Sequence, residues 1–90
     1  MQSLSIIVTG KVQGVWFRQS TKDKALELNI SGEVSNQPDG TVKIIATGTK
    51  EQLSLFTEWC KQGPTKANVT NLDVKELPLQ SFQSFTIERY

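Results

Sequence analysis

Ninety residues, 37% of them hydrophobic and 21% charged, suit a single domain spanning 1–90 and leave no room for a second. A net charge of +1 argues against a strongly electrostatic partner such as duplex DNA or an anionic membrane. One cysteine rules out an internal disulfide, and no apolar run is long enough for a secretory h-region or a membrane span. The expectation is a soluble cytoplasmic monomer with no nucleic-acid or membrane partner.

The elements follow from periodicity and turn chemistry. Ser3–Gly10 alternates, with Leu4, Ile6 and Val8 on one face, and predicts a half-buried strand. Gln19–Leu28 predicts a helix that turns Ala25, Leu28 and Thr21 inward, with Asn29 placed to end it in the left-handed conformation. Ile30–Asn36 and Thr41–Thr47 predict a hairpin around Gln37-Pro38-Asp39-Gly40, where proline presets φ and Asp-Gly accepts the reversal. Thr49 with Gln52 spells a capping box for a second helix reaching Gln62, whose apolar stripe is Leu53, Phe56, Trp59 and Cys60. Gly63-Pro64 stops it. Asn68–Glu76, with Leu72 and Val74 inward, and a short Phe85–Arg89 complete the set. The order β-α-β-β-α-β plus a short C-terminal strand predicts an α+β, ferredoxin-like two-layer sandwich, an antiparallel sheet with both helices on one face.

The chemistry concentrates in Gly10-Lys11-Val12-Gln13-Gly14-Val15-Trp16-Phe17-Arg18, a two-glycine loop between the first strand and the first helix. Such a loop aims successive backbone N–H groups into one concavity at the positive end of a helix, and Arg18 adds a fork of donors that matches phosphate oxygens. The pattern is neither a Walker loop nor a dinucleotide fingerprint, and glycines here also serve as plain turn residues. Elsewhere the chain offers little for catalysis. It has no histidine. Cys60 sits in a helical apolar stripe and reads as packing, and no carboxylates cluster at metal-ligand spacing.

Gly10–Arg18 resembles the signature loop of the acylphosphatases, Gly-x-Val-Gln-Gly-Val-x-Phe/Tyr-Arg. Gly32–Val42 resembles that family's second signature, in which an asparagine precedes a loop and Gly-Thr-Val. The resemblance implies a hydrolase of small-molecule acyl phosphates that needs no cofactor and no metal. It places phosphoryl binding on Arg18 and on the backbone of Gln13, Gly14, Val15, Trp16, Phe17 and Arg18, orientation of the attacking water on Asn36, and a supporting role on Thr41. The second motif departs from the family at Glu33, where an aromatic is usual, and at Ser35, where a base is usual. The lost charge is expected to weaken substrate capture. The alternatives are a non-catalytic module that binds phosphorylated metabolites, a single-stranded RNA platform, and a scaffold without activity. The RNA reading lacks the aromatics it needs on Ser3–Gly10 and Thr41–Thr47.

Overall fold

The structure, a computed structural model, describes residues 1–89, so the expected domain end at Tyr90 lies outside the described residues. The elements run β1 (Gln2–Lys11), α1 (Phe17–Glu27), β2 (Ser31–Asn36), β3 (Val42–Gly48), α2 (Lys50–Gln62), β4 (Asn68–Leu77) and β5 (Phe85–Glu88). The strands form one sheet in the order β4-β1-β3-β2-β5.

Alternation along the central strands decides which sheet face carries the core. Ile6 and Val8 of β1, Val34 of β2, and Val42, Ile44 and Ala46 of β3 are fully buried. They pack in one cluster with Phe17 and Ala25 of α1 and Leu53, Phe56 and Cys60 of α2. Both helices therefore cover the same face, as expected. The local signals act where they were read. Asn29 has φ 59°. At α2, Thr49 Oγ1 accepts from the Gln52 N–H at 3.1 Å and Gln52 Oε1 accepts from the Thr49 N–H at 2.8 Å.

Three expectations need correction. First, the sheet is mixed rather than antiparallel, because β5 pairs with β2 in parallel. The segment between β4 and β5 explains why. Ser3 and Thr47, both buried, share a hydroxyl hydrogen bond of 2.6 Å. Thr47 Oγ1 donates to the Gln80 carbonyl at 2.9 Å and Ser3 Oγ accepts from the Gln80 N–H at 2.8 Å. The connector is thus pinned across the sheet end from which β1 and β2 both rise, and a strand starting there beside Gly32 must run the same way as β2. Second, Val74 stands opposite Ile6 but is 39% exposed, since β4 is an edge strand beyond full helical cover. Third, α1 begins at Phe17 rather than Gln19, and β1 runs through Gly10 to Lys11.

The lone cysteine behaves as packing. Burial pushes the Cys60 thiol up to about 12. At pH 8 only about 10⁻⁴ of it is thiolate, the form that reacts. Iodoacetamide at pH 8 should leave the native chain unlabelled by mass spectrometry and modify it fully in denaturant. Rapid labelling of the native chain would contradict this packing.

Candidate active site

The site begins where β1 stops behaving as a regular strand. Its pairing with β4 shifts register between Thr9 and Gly10. Gly10 has φ 131°, and a Cβ there would collide with the Asn68 carbonyl, so the bulge requires glycine. Beyond it, Gly14 (φ 73°) and Trp16 (φ 64°, ψ 21°) both take left-handed backbone, the turn chemistry that lets amides converge.

The start of α1 differs from that of α2. Trp16 stands at the N-cap and supplies no side-chain cap, and no acidic residue occupies the first turn. The first helical bond runs from the Ser20 N–H to the Trp16 carbonyl at 3.0 Å. The N–H groups of Phe17, Arg18 and Gln19 precede it, at the positive end of the helix, where an anion is the complementary partner.

The loop is held by Gln13. Its side-chain amide donates to the Gln37 carbonyl at 2.8 Å and to the Thr41 carbonyl at 2.9 Å, tying the loop to the β2–β3 turn. Within that turn the Thr41 hydroxyl and N–H both donate to Asp39 Oδ1, at 2.6 and 3.0 Å. The Thr41 hydroxyl bond first, then the amide bond, holds the Asp39 carboxyl below its ordinary value. This favours the folded turn above the unfolded pKa of the carboxyl, and the benefit disappears as pH falls through the lowered one. Both carbonyls that Gln13 engages keep a second donor in the turn. Gln13→Ala should therefore cost only about 1 kcal/mol, read as a melting temperature lower by about 4–8 °C. The loosened loop should raise KM severalfold, and an unchanged KM would show that the clamp does not position the loop.

Between the loop, the end of β2 and the end of β5 lies a cavity of about 350 Å³. Gly14, Trp16, Phe17, Arg18 and Asn36 of the expected site residues line it; Gln13 and Val15 do not, and Thr41 acts through the turn. Arg18 is half-buried and enters neither of the two ion pairs formed by the described residues. Asn36 Oδ1 is buried with no hydrogen-bond partner among the described residues. A buried amide oxygen left this way is an acceptor ready for a donor from the cavity.

Glu33 and Ser35 lie elsewhere. Alternation along β2 sends them to the sheet face opposite Val34, where they line a second depression of about 640 Å³ with Lys43 and Ile45, and Asn36 at the strand end borders both this depression and the cavity. Ser35 is buried there, accepts from the Gln37 side-chain amide at 2.9 Å, and has Lys43 directly across the strand pair. Ser35 itself does not line the cavity and meets it only through its neighbour Asn36. Conversely, Arg89 and Ile87 line the cavity and went unread in the sequence. The parallel register ends with Ser35 beside Glu88, and the next residues, Asn36 and Arg89, line the same cavity. Knowing which strand β5 joins would have revealed it.

A family model described as Acylphosphatase matches residues 4–87. The chain is 42% identical over 90 residues to a protein of Methylococcus capsulatus named acylphosphatase, covering 99% of this chain and 98% of that one. It is 48% identical over 81 residues to a Marinobacter nauticus protein of the same name, covering 89% of this chain and 88% of that one. The crystal structure of acylphosphatase from Bacillus subtilis is similar at a TM-score of 0.95 and 37% identity, covering 98% of this chain and 99% of that one. A match running from β1 into β5, with relatives of nearly equal length, means that the chain belongs to the acylphosphatase family.

Proposed function

We propose that the chain hydrolyses the carboxyl–phosphate bond of small acyl phosphates to a carboxylate and inorganic phosphate. The observation that carries this reading is the convergence on one cavity of Arg18, the uncapped start of α1 and the unpartnered oxygen of Asn36. Phosphoryl transfer asks mainly for positioning and for neutralisation of charge on the equatorial oxygens. Arg18 and the loop backbone on the cavity wall, Gly14 and Trp16 to Arg18, supply the donors and the charge. Arg89 adds a second cation on the same wall. Asn36 Oδ1 accepts a hydrogen bond from water and aims its oxygen at phosphorus. As the new P–O bond forms, the bond to the acyl oxygen breaks and its electron pair leaves with the carboxylate. The water's proton passes to the phosphate or to solvent.

This assignment leaves the cavity without a strong general base, and the reaction tolerates that. The leaving carboxylate has a conjugate acid of pKa about 4, so it departs as an anion at neutral pH without a proton donor. None of the described lining residues offers a carboxylate, thiol or imidazole to a metal ion, and the proposed steps use none. We extend the reading to a cytoplasmic, metal-independent monomer acting as one domain over residues 1–90. The test is phosphate release from benzoyl phosphate and acetyl phosphate with a chelator present. Turnover is expected to be undiminished by the chelator. No turnover, with inorganic phosphate still bound, would make the domain a binding module instead.

A further inference from the structure

The side chain of Trp16 is not accounted for by the phosphoryl cradle. The residue is 76% exposed, the largest value for a large hydrophobic residue among those described. The three aromatic ring contacts among the described residues join Phe17, Trp59, Phe56 and Phe85, and leave Trp16 out. It gives the helix no cap, and its left-handed backbone is one that glycine adopts at lower cost. Two residues earlier the same loop meets the same demand with Gly14. Neither packing nor backbone geometry explains an indole at this place, yet it lines the same cavity as Arg18 and Asn36.

We propose that Trp16 reads the acyl group, its indole face taking a planar apolar acyl moiety so that aroyl phosphates are favoured over short aliphatic ones. This rests on the acylphosphatase reading above. In-line displacement puts the acyl group on the side of phosphorus opposite the attacking water. With the water at the buried oxygen of Asn36, we place the acyl group on the exposed side of the cavity, whose lining includes the exposed Trp16. The apolar neighbours Val12, Phe17 and Ile87 on the cavity wall suit the same occupant. An aromatic ring on an indole gains from offset stacking as well as from buried area, and an acetyl group gains little of either.

The experiment measures kcat/KM for benzoyl phosphate and acetyl phosphate and takes their ratio. Both substrates use the same phosphoryl cradle, so any disturbance of the Trp16 amide cancels. The ratio is expected to fall about tenfold in Trp16→Ala and in Trp16→Gly, which accepts the left-handed backbone, and by less than about threefold in Trp16→Phe. A ratio that stays within about twofold of wild type in Trp16→Ala and Trp16→Gly overturns the proposal. So does a Trp16→Phe chain that loses as much as Trp16→Ala. A wild-type chain that hydrolyses neither substrate instead overturns the reading of the whole site, and the two failures are distinct.

Discussion

Arg18→Lys lowers kcat/KM on an acyl phosphate by about 10³-fold while the melting temperature stays within a few degrees of wild type. The substitution keeps the charge, and lysine is a good helix former at the second residue of α1. What it removes is the planar fork. A guanidinium can donate two parallel hydrogen bonds to two phosphoryl oxygens, and it stays in register as charge moves onto them in the transition state. An ammonium offers one point charge on a flexible stem, more strongly hydrated and harder to strip of water. Arg18 forms no ion pair among the described residues, so the fold loses little with it. The check is steady-state kinetics beside a thermal melt. A loss below about tenfold would mean that positive charge alone suffices and that the loop amides carry the recognition.

Asn36→Ala produces a different signature. Turnover falls by about 10²-fold or more, whereas inhibition by inorganic phosphate changes by less than about threefold. Asn36 stands at the last residue of β2, opposite Val42 and beside the tip of β5, so its amide is held by a paired strand rather than by a loop. Alanine leaves the cradle in place and removes the acceptor that holds the water. The expected split is therefore in kcat and not in affinity for the phosphoryl group. Asn36→Asp sharpens the contrast. Its carboxylate matches the amide in shape but repels the phosphoryl oxygens, so both kcat and phosphate affinity should fall. An Asn36→Ala chain with near-normal kcat would remove the asparagine from the mechanism.

What could be read in the sequence was local. The capping box at Thr49 and Gln52, the left-handed stop at Asn29 and the Pro-Asp-Gly turn are written in neighbouring residues, and each sits where its chemistry demands. Arg18 and Asn36 were legible because each lies inside a motif with its own spacing. Apart from the start of α1, the missed features are non-local. Val74 has the right face and the wrong strand position, since nothing in its alternation says that β4 is an edge. The parallel pairing of β5 depends on Ser3 and Thr47 gripping Gln80, a contact among three segments far apart in sequence. Arg89 is hidden for the same reason, because its place in the cavity with Asn36 exists only once β5 has found β2. Ser35 shows the reverse error. Proximity in sequence to Asn36 implied a place in the Arg18 cavity, whereas Ser35 lines only the second depression, which Asn36 borders as well.

β5 is four residues long, lies at the sheet edge and pairs along one side only, with β2. Short edge segments of this kind open most readily, so the wall bearing Ile87 and Arg89 belongs to the part of the molecule that frays first. Anything bound against that wall adds to the free energy of keeping it closed, by an amount that grows with ligand concentration over the dissociation constant. Inorganic phosphate should therefore slow amide hydrogen exchange at residues 86–88, remote in sequence from the loop that grips it, while exchange along β4 on the opposite edge stays as it was.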